Sequence, residues 1–357
     1  MITIRPVRGL PEITAESDLA ALVAAAVGEL ADGDVVIVTS KVVAKAEGRV
    51  LEAADREDAI SAETVRVVAR RGRLRIVQTR HGLVLAAAGV DASNVAPGHV
   101  VLLPVDPDAS ARKLRAELAA RTGARIAVVI TDTAGRPWRQ GLTDIAIGVA
   151  GLDPLIDLRG GTDGYGRPLD ATVIAVADEL AAATDLVKGK VAGVPVAVVG
   201  GLGRLVIDSD GPGARALIRP ADEDMFRLGT ADAVRAAVAG RGVAVEFAAR
   251  PVPAEIIDSA IAGASTESAG FVRVGSASSA EAPALVAACV RGSVERMPGL
   301  LAVGAAIADL QLLLAADEIG SSWLSLDPAR PPDIEAPPAG WEPVGLLAVG
   351  YLAEQPS

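Results

Sequence analysis

The chain has 357 residues, of which 51% are hydrophobic and 22% charged, with a formal net charge of −11. That apolar fraction excludes a mainly disordered chain. Three Trp, two Tyr and three Phe are too few rings for a base-stacking platform, and the acidic total points the same way, so no nucleic-acid partner is expected. The single cysteine, Cys289, excludes an internal disulfide and a Cys-rich zinc site. No unbroken apolar run reaches the length of a membrane span, and the start MITIRPVRGLPEI has no apolar signal core. A cytoplasmic protein without a membrane partner is the expectation.

Charge is uneven along the chain. Residues 230–357 carry 15 acidic and 7 basic side chains, net −8, against 30 and 27, net −3, before them. The expected division is therefore 1–229 and 230–357, with a proline-rich loop from Asp327 to Gly340. In the first part Leu19–Leu30 reads as an Ala-rich helix, and Asp34–Thr39 as a buried strand after the turn Asp32-Gly33. Ser110–Arg121 and Ala175–Leu186 read as helices, each followed by a buried strand, Arg125–Thr131 and Val194–Val199. Repeated helix–strand units predict an α/β (mixed α+β) fold, with the sheet order left open.

Six segments are candidates for chemistry. Gly9-Leu10-Pro11-Glu12-Ile13 reads as a turn that can offer backbone N–H groups to an anion, or as a plain loop. Thr39-Ser40-Lys41 through Gly48-Arg49 follows a strand end, where α/β sheets commonly bind ligands. There Ser40 suits a helix N-cap, Lys41 and Lys45 share one helix face, and Gly48 suits the position after the helix. The two ammonium groups can hold phosphate or form a solvated basic face. Arg80-His81-Gly82 and Asp91-Ala92-Ser93-Asn94 offer ligand or turn hydrogen bonds, and His81 is a proton carrier or a structural histidine. In the segment Thr131–Asp144, the carboxylate of Asp132 at a buried strand end reads as a Mg²⁺ or Mn²⁺ ligand or as a helix cap. Gly135 permits close backbone approach, and Arg136 and Arg139 can pair with phosphate or carboxylate. Asp163, Asp170 and Asp178 are open candidates for a second metal position, and Gly200-Gly201-Leu202-Gly203 could bring backbone against a nucleotide.

In order, Gly9–Glu12, Val38–Arg49, Arg80–Leu83, Ala86–Asn94, Leu103–Ser110, Ile130–Arg139 and Asp185–Lys190 resemble the coenzyme F420-0:L-glutamate ligases. The resemblance covers about residues 1–229. It implies a cytoplasmic, homodimeric ligase that joins L-glutamate to the deazaflavin precursor F420-0, using GTP and Mg²⁺ or Mn²⁺, with K⁺ as a further candidate ion. It implies GTP contacts at Leu10, Pro11, Glu12, Ile13, Ser40, Lys45 and Gly135, metal ligation by Asp132 and Thr172, and catalytic roles for Lys45 and Arg136. The reaction implied is phosphorylation of a carboxylate to an acyl phosphate, which the glutamate amine then attacks.

Three positions depart from the family pattern. Val173 stands where a carboxylate is common, Gly200 where an arginine is, and Leu142 where a glutamine is. All three are expected near the site, so the alternative is a nucleotide-binding paralogue with reduced ligase activity. Residues 247–351 resemble, more weakly, a shortened nitroreductase-like flavin domain. Its basic strip is reduced to the stretch Arg241–Phe247 with one arginine, so FMN is not expected, and an FMN-dependent reductase is the remaining alternative.

Overall fold

The computed structural model describes residues 1–53, 55–240, 246–248, 250–274, 284–324, 339–351 and 353. The chain divides into two compact units, Met1–Arg227 and Leu228–Ser357. Unit 1 begins with β1 (Thr3–Val7), α1 (Leu19–Val27), β2 (Val35–Thr39), α2 (Ser40–Ala46), β3 (Val50–Glu52), α3 (Arg56–Ala62), β4 (Thr64–Arg71), β5 (Leu74–Thr79), β6 (Val84–Ala86) and β7 (His99–Val101). It continues with α4 (Pro107–Thr122), β8 (Ala127–Gly135), β9 (Leu142–Ala150), β10 (Ile156–Asp157), β11 (Val173–Ile174), α5 (Val176–Lys188) and β12 (Val196–Gly200).

The central sheet has the order β1-β12-β2-β8-β9. Only β2 and β8 pair in parallel; the other neighbours are antiparallel. The fold is thus mixed α/β, and the sheet is buried on both faces, which is why β2 and β8 read as unbroken apolar runs. Side-chain alternation sends Val36, Val38, Val128 and Ile130 to one face, against Val23 of α1 and Leu114 and Leu118 of α4. Val35, Ile37, Ala127 and Val129 face Val176, Ala177 and Leu180 of α5. Each fully buried Val, Leu or Ile among them contributes about 1.5–3 kcal/mol by leaving water.

Local chemistry moves some element ends from the sequence expectation. Helix α4 starts at Pro107 rather than Ser110, because the Asp106 carboxylate accepts from Ala109 N at 2.9 Å and proline suits the first turn. Ser40 is the first residue of α2, and Thr39 holds the N-cap place. Strand β8 does not stop at Thr131. It runs on to Gly135 and pairs with β9 through Thr133↔Asp144 and Gly135↔Leu142. Asp132 is therefore inside a ladder and is not a helix cap.

The glycine run after the third predicted strand serves packing. A Cβ at Gly33 would overlap Gly203, and one at Gly201 would overlap the carbonyl of Met1. Gly200 pairs with Thr3, beside Asp34, at the end of β12 that lies against the start of β2. The expectation that Gly200 lies near the site is overturned, because the lysines follow the opposite end of β2.

Unit 2 comprises α6 (Thr230–Gly240), α7 (Ala254–Ala264), β13 (Ala269–Val274), β14 (Ala284–Arg291), α8 (Arg296–Ala316), β15 (Ile319–Leu324) and β16 (Trp341–Tyr351). Its antiparallel sheet has the order β13-β14-β16-β15. Ile257 and Ala260 of α7 and Val303, Ala306, Leu310 and Leu314 of α8 pack on Phe271, Val286, Leu347 and Val349. Helix α8 is, among the described residues, long and apolar enough by length and composition to cross a membrane, with a mean hydropathy of 1.9. Asp309 and Gln311 interrupt its apolar run, and its inward face is core of this unit. Most of the strip Arg241–Phe247 and of the stretch 327–340 lies outside the described residues.

Candidate functional site

The junction of β2 and α2 gathers the polar groups. Ser40 Oγ donates to Asp132 Oδ1 at 2.9 Å, which ties the start of α2 to β8. Lys41 Nζ donates to Asp91 Oδ2 and Ser93 Oγ, both at 2.7 Å. Asp91 in turn accepts from Ser93 N at 2.7 Å, so this loop is shaped by its own side chains as well as by the lysine. One helical turn on, Lys45 is buried, and its ammonium donates to the Glu12 carboxylate and to Asn94 O at 2.7 Å. Gly48, at φ +70°, ends the helix as its position required.

Asp132 is half-buried. Burial, with the negative charge of Asp144 adding to it, pushes its pKa up to about 6, and the Ser40 hydroxyl pulls the other way. Asp144 is opposite in behaviour. Lys188 and the hydroxyls of Thr131 and Thr133 hold its carboxyl below the usual range despite burial. Lys188 Nζ lies 2.7 Å from Asp144 Oδ2 in a pair that is buried at both ends. Sequence reading did not single out Asp144 and Lys188 as a unit. The pairing is tertiary, and only the occurrence of both in motif strings hinted at it.

Other expected residues fall in different places. Leu10, Pro11 and Glu12 line a loop, while Ile13 is anchored in the core. The loop does not lead straight into α1, whose first turn is capped by Asp18 accepting from Ala21 N at 2.9 Å. Gly135 ends β8, and Arg136 follows at the exposed hairpin tip, donating to Gln140 O at 3.2 Å. Beside them Trp138 is 91% exposed with φ +62°. Leu142 is exposed and lies against Gly135. Thr172 is exposed just before β11, its carbonyl accepting from Leu158 N, and Val173 pairs with Asp157.

Two of the three candidates for a second metal position hydrogen-bond backbone N–H groups. Asp163 accepts from Tyr165 N and Arg167 N, and Asp178 accepts from Ala146 N at 2.8 Å. Asp170 is exposed. Among the described residues no three His, Cys, Asp or Glu side chains cluster to hold a metal. One half-buried carboxylate with a hydroxyl beside it fits a Mg²⁺ that takes the rest of its ligands from water and phosphate oxygens; it does not fit an all-protein cage. His81 donates from Nε2 to Pro104 O and Val105 O at 3.0 and 3.1 Å, and its buried Nδ1 has no hydrogen-bond partner among the described residues. Burial and the Arg80 charge lower its pKa, against the two backbone hydrogen bonds, which raise it. A separate groove of about 450 Å³, between α1, α2 and α4, is lined by Ser17, Glu47, Ser110, Lys113 and Glu117 among others.

The fold is a mixed α/β sheet in which the start of α2 brings two engaged lysines and a hydroxyl to the half-buried carboxylate of Asp132 on β8. The sequence pattern of F420-0:gamma-glutamyl ligases matches residues 9–201, more than half of the chain, and the chain belongs to that family. The coenzyme F420:L-glutamate ligase of Methanothermobacter thermautotrophicus is 40% identical over 250 residues, which is 63% of this chain and 99% of the relative. The protein of the same name from Methanopyrus kandleri is 39% identical over 247 residues, 63% and 98% of the two chains. Among solved structures, a nitroreductase-like family protein from Bacillus cereus is similar over 35% of this chain and 88% of its own, at 15% identity and a TM-score of 0.28. A nitroreductase family protein from Streptococcus pneumoniae gives 35%, 91%, 14% and 0.29. At such scores the likeness assigns no activity to unit 2.

Proposed function

We propose that unit 1 joins L-glutamate to a carboxylate of coenzyme F420-0 as an amide, the first unit of the coenzyme's gamma-glutamyl chain, using GTP and Mg²⁺ or Mn²⁺. The observation that carries the reading is the hydrogen bond from Ser40 to Asp132 with Lys41 and Lys45 on the same helix. Phosphoryl transfer needs positioning and charge neutralisation, and two ammonium groups beside a carboxylate and a hydroxyl support that reading. In the reaction proposed, a carboxylate oxygen of F420-0 attacks the γ-phosphorus of GTP and GDP leaves. The glutamate amine then attacks the acyl carbon, loses a proton, and phosphate departs.

Lys45 and Lys41 would neutralise the phosphates. Lys45 is held by Glu12 in the meantime, so nucleotide binding would exchange one anionic partner for another. Asp132, with Ser40 beside it, would hold the divalent ion, which when bound spreads the negative charge of the phosphates. Gly135 and Arg136, beyond Asp132 on the same hairpin, would meet the nucleotide or the acceptor carboxylate. The test is incubation with F420-0, L-glutamate, GTP and Mg²⁺, read by mass spectrometry for an added glutamyl unit. Binding of GTP without any such product would instead support the paralogue reading.

A further inference from the structure

We infer that the buried pair Asp144–Lys188 positions Asp132, acting through the hydroxyls of Thr131 and Thr133 from the opposite face of strand β8. The inference rests on the proposed metal role of Asp132. Alternation along β8 places Asp132, with Val128 and Ile130, on the face that carries α2. Thr131 and Thr133 point to the other face, which carries α5. There Asp144 accepts from Thr131 Oγ1 at 3.0 Å and from Thr133 Oγ1 at 2.9 Å. Lys188, the last residue of α5, donates to Asp144 Oδ2 at 2.7 Å and to Thr131 Oγ1 at 3.1 Å. Thr131, Asp144 and Lys188 are all buried.

Two facts make this more than a stabilising contact. The β8–β9 register shifts between Ile130 and Thr131, one residue before Asp132, where Ile147 of β9 lies between the paired Ala146 and Gly148 as the extra residue. A bulge interrupts the ladder and re-aims side chains, so the backbone here needs another restraint. Both residues flanking Asp132 are gripped on one face while Ser40 grips Asp132 itself on the other. Second, an ion pair buried at both ends is a poor way to gain stability, since apolar residues of similar volume commonly do as well or better. Retaining it here makes sense if it fixes the direction of the carboxylate, as supporting groups do around metal ligands.

The experiment uses the full chain and compares wild type with the double variant Asp144→Leu, Lys188→Met and with Thr133→Val. Melting temperature reports the fold. Mn²⁺ binding in the presence of GTP, read by electron paramagnetic resonance of free Mn²⁺, reports the site independently of turnover. The double variant is expected to melt within a few degrees of wild type while its Mn²⁺ affinity falls about 10- to 100-fold. Thr133→Val, which removes one of the two hydroxyl grips, should give a smaller loss in the same direction. A double variant or a Thr133→Val protein that melts normally and binds Mn²⁺ as wild type does would overturn the inference. Should the double variant fail to fold, the Thr133→Val result decides alone. If wild type itself binds no Mn²⁺ with GTP present, the metal reading fails, a different result from failure of the positioning role.

Discussion

Asp132 is a carboxylic acid whose pKa in the folded chain, about 6, stands above its ordinary value of 3.8. The folded state therefore holds this proton more tightly than the unfolded one, and stability falls as pH rises from about 4 through 6. Above that window the ionised group costs up to about 3 kcal/mol in the absence of metal. Metal-free Asp132→Asn is thus expected to melt several degrees above metal-free wild type at pH 7.5, with the gap closing toward pH 4. Scanning calorimetry in chelator at the two pH values checks this, and a gap of equal size at both would contradict it. The same variant should lose ligation by more than 100-fold. Lys45 makes a complementary case. Lys45→Met leaves a similar volume in a buried place, so the fold should survive while the KM for GTP rises at least tenfold in steady-state kinetics. An unchanged KM would remove Lys45 from the nucleotide site.

The elements divide by how their signals reach the sequence. Strand β2 was readable to within a residue because both its faces are buried and its β-branched run is unbroken. The face shared by Lys41 and Lys45 followed from helical spacing alone. Strand β8 was read as ending early, since Thr, Asp and Gly look like turn residues until their partners on β9 and α5 are known. The meander β4-β5-β6 carried no such signal, because β4 mixes arginines with half-buried valines. The role of Gly200–Gly203 was invisible for a related reason: a glycine that admits a nucleotide and one that admits another backbone look alike in sequence. The structure separates them. Gly201 sits at φ +84° with the Met1 carbonyl where a Cβ would go. Gly201→Ala should therefore destabilise the protein by at least about 1 kcal/mol in urea unfolding while the KM for GTP of the folded fraction stays unchanged. A raised KM at normal stability would return this run to the site.

For the whole molecule, the acidity and the length take on separate meanings. The relatives are spanned almost fully by a match to 63% of this chain, and the family pattern ends at residue 201, inside unit 1. A chain ended after Arg227 is accordingly expected to fold and to keep glutamate ligation, measured against the full chain at equal concentration. Loss of activity in a folded truncation would assign unit 2 a part in the reaction. Unit 2 uses two of its arginines against rings, Arg250 over Tyr351 at 4.2 Å and Arg291 over Trp341 at 5.9 Å. The measurement that bears most directly on the central claim is the product mass. With F420-0, L-glutamate, GTP and Mg²⁺, the full chain should yield F420-0 extended by a glutamyl unit, with GDP and phosphate formed in equal amounts. GTP turnover or binding without any extended product at high enzyme concentration would contradict it.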